Sequence, residues 1–221
     1  MARHGRTLAA AMGIAAILFA AALGAFLTGA VSDAEYGRVQ RAQAVDAGLS
    51  PAELEGYNRM LARYLRGDAS ALDGAARFSA RDVLHMADVY HLFALGRKAC
   101  AAAGILGILL LATALYKNAD WRRALRGGAA MGGALFALPI LLVGIWAAID
   151  FNGAFTAMHH ALFSNDLWQL DPATDRLIRM FPERFFMQLA SRLGMRAALA
   201  SLLVFAAAGA ASYLPTKKGK L

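Results

Sequence analysis

The sequence predicts an all-α membrane protein with four transmembrane helices and an extracytoplasmic helical cap built from two outer segments. Of its 221 residues, 59% are hydrophobic and only 17% are charged, whereas soluble domains contain about 25% charged residues. Four apolar stretches approach the roughly 20 residues that a helix needs to cross a bilayer. The net charge of +8 falls on one side of the resulting topology.

The apolar stretches cover about residues 8–31, 99–115, 129–149 and 197–214. Lipid cannot hydrogen-bond a bare backbone, so each stretch is predicted to be a helix. The second stretch is short, and we expect its helix to extend back into Val89–Gly96. The first stretch could be a cleaved signal peptide, but its length of about 24 residues exceeds the roughly 7–15 apolar residues of such peptides. It is therefore interpreted as a retained span.

Lysine and arginine place the N-terminus, the loop 116–128 and the C-terminal tail on the cytoplasmic side, because cytoplasmic loops carry the basic excess. Against Asp120 alone, these segments hold Arg3, Arg6, Lys117, Arg122, Arg123, Arg126, Lys217, Lys218 and Lys220. On the other side of the membrane, basic and acidic residues are equal in number. The basic character therefore reports topology, and we expect no nucleic-acid partner.

This topology divides the chain into five parts. They are the N-terminus with the first span (1–31), the first cap segment (32–98), the second and third spans with their loop (99–149), the second cap segment (150–196), and the fourth span with its tail (197–221).

Two serine caps organise the first outer segment. Ser50-Pro51-Ala52-Glu53 is a capping box with proline at the first helical position, so a helix is predicted from Pro51 to about Arg66, ending at Gly67. Its apolar residues form one stripe, namely Leu54, Tyr57, Met60, Leu61 and Tyr64.

Ser79, with Asp82 at the third helical position, predicts a second helix that starts at Ala80. This helix should run through His85 and Asp88 into the second span without interruption.

The second outer segment is rich in aromatic residues, which are Phe151, Phe155, Phe163, Trp168, Phe181, Phe185 and Phe186. Aromatic residues gather at membrane interfaces, which explains part of this enrichment. The other aromatic side chains could line a pocket for an acyl chain. Asp171-Pro172 indicates a cap followed by a first-turn proline, and Phe181-Pro182 indicates a helix restarting after a corner.

Histidines are the residues best suited to chemistry. His85, His91, His159 and His160 all lie in the outer segments near the membrane, and histidine transfers protons near neutral pH. Asp88, three residues after His85, could fix its tautomer. A metal site built on His85, Asp88, His91 and His159 is the alternative, although positions three and six apart diverge around a helix.

Several other classes of function are disfavoured. The sequence contains no G-x-S-x-G, P-loop, H-E-x-x-H or C-x-x-C motif. The spans are predicted to hold almost no ionisable residue and no proline break, which argues against a transporter.

Two runs of residues resemble the bacterial lipoprotein intramolecular transacylase family. The first is Tyr57-Asn58-Arg59-Met60, Tyr64-Leu65, Phe78-Ser79 and His85-Met86-Ala87-Asp88-Val89. The second is Phe155-Thr156, His159, Phe163, Asn165-Asp166-Leu167-Trp168, Asp171-Pro172, Asp175, Leu177-Ile178 and Phe181-Pro182. The resemblance covers nearly the whole chain, including the four-span layout.

The resemblance implies a multi-pass enzyme of the bacterial cytoplasmic membrane, with its active site on the extracytoplasmic face. Such an enzyme moves the sn-2 acyl chain of a diacylglyceryl lipoprotein onto the α-amino group of its N-terminal cysteine, giving lyso-form lipoprotein. Diacylglyceryl-modified lipoproteins and the lipid bilayer are then its partners, and no cofactor or metal is expected. The oligomeric state stays open.

The catalytic histidines of the family map onto His85 and His159, and the neighbouring His160 leaves the second assignment open. The substrate supplies its own nucleophile and leaving group, so only proton transfer is left to the protein. We expect His85 to be the base, oriented by Asp88, and His159 to be the acid or oxyanion partner, with the roles interchangeable. Supporting or pocket residues are expected to be Asp88, Tyr57, Asn58, Phe155, Phe163, Asp166, Trp168, Asp171 and Asp175.

Packing and helix capping explain several of those supporting residues equally well. A non-enzymatic four-span scaffold that binds a partner protein is the alternative function. A metal-dependent membrane hydrolase is a further alternative.

Overall fold

The computed structural model describes residues 2–69, 71–72, 77–116 and 120–213, which contain eight α-helices and no strand. The helices are α1 (Ala2–Ala30), α2 (Asp33–Ala42), α3 (Pro51–Arg66), α4 (Ala80–Tyr116), α5 (Trp121–Ile149), α6 (Phe151–Leu162), α7 (Arg176–Met180) and α8 (Glu183–Tyr213). Of the basic residues used for topology, Lys117, Lys217, Lys218 and Lys220 lie outside the described residues.

Three helices are long and apolar enough to cross a membrane, at His4–Ala30, Ala80–Ala114 and Trp121–Ile149. The second confirms that the helix of the short apolar stretch starts well before that stretch. The fourth predicted span lies mostly within α8, which does not meet the same criterion over its described residues. Pro139 lies inside α5, but the helix is continuous from Trp121 to Ile149, so the proline does not break this span.

The chain forms two compact units. The first comprises Met1–Gly24, Ala99–Ile140 and Arg196–Leu221, and the second comprises Ala25–Lys98 and Leu141–Met195.

Glycines in the first unit allow close helix packing. A Cβ atom placed on Gly128 would lie 2.7 Å from the carbonyl oxygen of Ala11, and one on Gly132 would lie 2.8 Å from that of Ala15. The two glycines of α5, four residues apart, therefore face α1 of the same chain.

The second unit has a hydrophobic core to which α2, α3, α7 and the start of α8 contribute. The predicted apolar stripe of α3 faces this core, with Tyr57, Leu61 and Tyr64 buried. The α3 bounds and the capping box at Ser50 and Glu53 are as predicted, and Gly67 ends the helix with a φ of 86°.

The sequence analysis missed two short helices. Ser32 caps α2 by accepting a hydrogen bond from the Glu35 N–H, and α2 buries Tyr36 and Val39. Asp150 caps α6 by accepting from the Gly153 N–H at 2.9 Å.

One buried carboxylate connects the start of α4 to the start of α7. Asp82 has no exposed surface, and it accepts hydrogen bonds from the N–H groups of Ser79 (3.2 Å), Arg176 (2.9 Å) and Leu177 (3.3 Å). The Ser79 hydroxyl accepts from the Asp82 N–H in return. The predicted cap is therefore confirmed, and it holds a second helix as well.

The prediction that Asp171-Pro172 begins a helix was wrong. The Asp171 carboxylate accepts from the Ala173 N–H at 2.8 Å, and its carbonyl accepts from the N–H groups of Thr174 and Asp175. This local bonding forms a turn, and α7 begins only at Arg176.

Asp82→Ala is expected to lower the free energy of unfolding by about 2–3 kcal/mol, because three backbone N–H groups lose their acceptor. Thermal unfolding in detergent measures the effect. Glu53→Ala is the matched control, since Glu53 holds the same capping-box position in an exposed setting. Equal losses in the two variants would contradict the special role of Asp82.

Gly132→Ala is expected to destabilise the protein by about 1–3 kcal/mol, because the new methyl group meets the α1 backbone. Gly133 has open space around it, so Gly133→Ala should instead stabilise α5 by up to about 1 kcal/mol. Midpoints of thermal unfolding distinguish the two, and a Gly132→Ala protein as stable as the parent would show that α1 and α5 do not approach so closely.

Candidate active site

Two histidines from the two outer segments face each other in the second unit. His85 lies in the second turn of α4 and His159 near the end of α6, with ring centroids 6.2 Å apart and planes inclined by 37°. The His159 side chain is buried, and His85 is half-buried. The structure therefore brings together the two residues that the sequence selected.

A backbone carbonyl sets the tautomer of His159. Nδ1 lies 2.7 Å from the carbonyl oxygen of Phe155, one turn earlier in α6. A carbonyl oxygen can only accept, so Nδ1 carries the hydrogen. In the neutral ring, Nε2 then has the free lone pair.

Aromatic rings enclose the histidine pair. The Phe155 ring lies 4.0 Å from His159, and Trp168 stacks on His159 at 4.8 Å with an interplanar angle of 30°. The Phe163 ring lies 5.4 Å from His85 and 5.8 Å from His159. Three predicted pocket residues are thus in place around the pair.

This enclosure favours the neutral form of His159. Burial lowers the pKa of His159 below its usual value, the hydrogen bond to Phe155 opposes that shift, and the neighbouring His160 adds to it.

Asp88 does not orient His85 as expected. Its carboxylate accepts a hydrogen bond from Asn165 Nδ2 at 2.9 Å, while His85 Nδ1 is buried without a hydrogen-bond partner among the described residues. Asp88 therefore connects α4 to the loop after α6, because its carboxylate accepts the hydrogen bond from the Asn165 side chain of that loop.

The other histidines lie outside the pair. His160 is exposed and meets the Trp168 ring edge-on at 5.2 Å, so His159 is the member of the doublet that faces His85. His91 is exposed beside Tyr90. Within the described ranges, no three His, Cys, Asp or Glu side chains form a group that could hold a metal ion.

Tyr57 and Asn58 serve the core of the second unit. The Tyr57 hydroxyl accepts from Arg176 Nη1 at 3.3 Å. Buried Asn58 donates to Gln40 Oε1 at 2.6 Å, and Gln40 Nε2 donates to the Met180 carbonyl at 3.1 Å. The structure thus places these two predicted residues in packing and cross-segment bonding.

The three remaining predicted carboxylates have local partners. Asp166 accepts from Gln169 Nε2 at 3.2 Å, and buried Asp175 accepts from the Asp171 N–H at 2.7 Å. Asp171 closes the turn described above. Sequence reasoning missed Arg81, whose Nη1 donates to the carbonyls of Asp166 (3.0 Å) and Gln169 (2.8 Å).

Comparison with known proteins assigns the family. Residues 7–186 match the family model described as lipoprotein intramolecular transacylase Lit. The chain belongs to this family. The match confirms the resemblance drawn from the residues, and with it the class of acyltransferase. No curated protein matches the sequence.

Three solved structures of the membrane integral lipoprotein intramolecular transacylase Lit from Bacillus cereus have the same fold. The first is 24% identical, covers 93% of each chain and has a TM-score of 0.75. In the other two, a histidine of that protein is replaced by arginine (24% identity, TM-score 0.72, 94% and 91% covered) or by alanine (26%, 0.71, 94% and 92%). The fold of this chain is thus that of a membrane-integral protein.

The lowered pKa of His159 predicts the sign of a stability change. Between about pH 6.5 and the lower folded-state pKa, the unfolded chain binds a proton at this site that the folded chain does not. Stability should therefore decrease as the pH falls below about 6.5. Thermal unfolding across this range measures it, with His159→Gln expected to weaken the dependence and His160→Gln to retain most of it. An unaltered dependence in His159→Gln would contradict the prediction.

Proposed function

We propose that the chain moves the sn-2 acyl chain of a diacylglyceryl-modified lipoprotein onto the α-amino group of the same molecule's N-terminal cysteine. The amine nitrogen attacks the ester carbonyl, a C–N bond forms, and the C–O bond to the glyceryl oxygen breaks. The products are an amide and a free hydroxyl on one lyso-form lipoprotein. Family membership and the enclosed histidine pair support this reaction.

His159 is the general base in this proposal, which reverses the roles that the sequence favoured. The single observation that carries it is the 2.7 Å contact between His159 Nδ1 and the Phe155 carbonyl. It leaves Nε2 with a lone pair that can take the proton of the attacking amine. The resulting imidazolium then returns the proton to the departing glyceryl oxygen, so the ring ends as it began.

His85 stabilises the oxyanion. Its Nδ1 is buried and has no hydrogen-bond partner within the part of the chain that the structure describes, which leaves Nε2 as the nitrogen that meets the substrate. With a hydrogen on Nε2, the ring donates to the negative oxygen of the tetrahedral intermediate. The ring centroids lie 6.2 Å apart, so both imidazoles can reach the same ester group of a substrate.

The aromatic enclosure explains why the acyl chain passes to the amine rather than to water. Phe155, Phe163 and Trp168 surround the histidines, and excluding water suppresses hydrolysis of a reactive ester. The substrate carries both reacting groups, so holding them in contact is a large contribution that the protein can make.

The proposal extends to topology. The basic residues of the sequence favour both termini in the cytoplasm. That requires an even number of spans, so α8 would add a fourth to the three apolar helices. Parts 32–98 and 150–196 then form the cap outside the bacterial cytoplasmic membrane, and the histidine pair works on that face. The five-part division given above and the lipid bilayer as partner belong to the same proposal.

His159→Ala and His85→Ala are each expected to reduce the transacylation rate by about 10²–10⁴-fold. The assay is tandem mass spectrometry of a model lipoprotein's N-terminal peptide from cells that express each variant. Fragment ions must locate the acyl chain, because an intramolecular transfer leaves the intact mass unchanged.

His160→Ala is the matched control for that assay, since His160 adjoins the pair but is exposed, and it should retain activity. Full activity of the His159→Ala protein would contradict the assigned base. A free amine and intact diacylglyceryl group with the parent protein would contradict the transacylase reaction and favour a non-enzymatic scaffold.

Topology is tested by cysteine labelling, because Cys100 is the only cysteine of the chain. In a Cys100→Ser background, Ser164→Cys should react with a membrane-impermeant maleimide on intact cells with an accessible periplasmic face. Arg126→Cys should react only after the membrane is permeabilised. The reverse pattern would contradict the proposed orientation.

A further inference from the structure

The loop after α6 is anchored to α4 at two points. We refer to residues 164–170 as the Trp168 loop. At one anchor, Arg81 Nη1 donates to the carbonyls of Asp166 and Gln169, at 3.0 and 2.8 Å. At the other anchor, Asn165 Nδ2 donates to Asp88. The two carbonyls of the first anchor belong to residues before and after Trp168 in the sequence. This anchor therefore determines the path of the backbone that carries the indole.

The indole of Trp168 has no polar anchor of its own. Nε1 is buried and has no hydrogen-bond partner among the described residues. A buried N–H group without an acceptor is unfavourable, so it does not hold the ring where it lies. The stacking on His159 therefore depends on the backbone anchors of the loop.

We propose that Arg81 is a positioning residue for the base: it holds the Trp168 loop so that the indole covers one face of the His159 ring. This inference rests on the proposed function, in which His159 Nε2 accepts the amine proton. With the indole in place, Phe155 and Trp168 both contact the His159 ring, which restricts its rotation and keeps water from the face that the indole covers.

A guanidinium suits this task because one nitrogen reaches two carbonyl oxygens and the side chain keeps its charge at every working pH. Arg81 is exposed and lies one turn before His85 on α4. The same helix therefore carries one histidine directly and positions the other through the loop.

Arg81→Ala is expected to reduce kcat by about 10-fold to 100-fold, with little change in KM, in the full chain reconstituted with a synthetic diacylglyceryl lipopeptide. Arg81→Lys should recover most of the rate, because an ammonium group can donate to the same two carbonyls. Arg59→Ala removes an arginine of similar exposure on α3 and should behave as the parent.

The pH dependence of kcat gives a second readout, namely the midpoint of its acid limb. A general loss of structure would lower kcat without a defined shift of this midpoint. Exposing His159 to water should shift the midpoint of that limb upward in Arg81→Ala. The titratable groups around His159 are His85 and Asp88 on α4, His160 on α6 and Asp166 in the loop. All of them remain in Arg81→Ala. This variant is compared with Arg81→Met, which also lacks the charge, and with Arg81→Lys, which keeps it and should restore the parent midpoint. A parent-like rate and profile in Arg81→Ala, or no rescue by lysine, would overturn the proposal.

A second measurement does not depend on activity, so it separates this proposal from the proposed function. Trp121→Phe and Trp146→Phe leave Trp168 as the sole tryptophan, and His160→Gln in the same background removes the other imidazole that contacts it. Because protonated imidazole quenches a stacked indole, Trp168 fluorescence should titrate with His159, and His159→Gln should abolish that titration. Arg81→Ala should abolish it as well, while Arg59→Ala retains it. A titration unaffected by Arg81→Ala would overturn the proposal even if the chain transfers no acyl group.

Discussion

The buried carboxylate of Asp82 is the interaction on which the arrangement of the outer segments depends. It accepts three backbone N–H groups, one from the start of α4 and two from the start of α7. A charge with no exposed surface is stable only when its acceptor sites are filled, so the two helix starts must meet at this point. That meeting fixes the segment after α6 relative to the helix that carries His85.

The chemistry of the site follows from what the second histidine is bonded to. A carboxylate partner would stabilise an imidazolium, whereas burial among aromatic rings favours a neutral His159. The Phe155 carbonyl holds the hydrogen on Nδ1, so the neutral ring has one defined lone pair. Asp88 is bonded to Asn165 instead. The pair therefore offers one defined lone pair, on His159 Nε2, which suits the proposed reaction, because its nucleophile and leaving group both come from the substrate.

Capping residues and apolar periodicity were enough to predict α3 and α4, whereas His85 and His159 were selected among the histidines by the family resemblance. The predictions failed where local hydrogen bonds competed with helix signals, as at Asp171, and where a helix was too short to show periodicity, as in α2 and α6. The cap at Ser32 and Glu35 was a usable sign of α2. His159 Nδ1 donates to a main-chain oxygen, and a main-chain acceptor cannot be recognised from the types of residue in the sequence. The anchor at Arg81 depends on two carbonyls more than 80 positions away.

The central claim is that His159 carries its hydrogen on Nδ1 and presents Nε2 as the base. Nitrogen-15 NMR of selectively labelled protein, with His159→Gln used to assign the signal, reports the tautomer directly. A protonated Nδ1 and an unprotonated Nε2 are expected at neutral pH. A neutral ring with its hydrogen on Nε2, or an imidazolium at that pH, would contradict it.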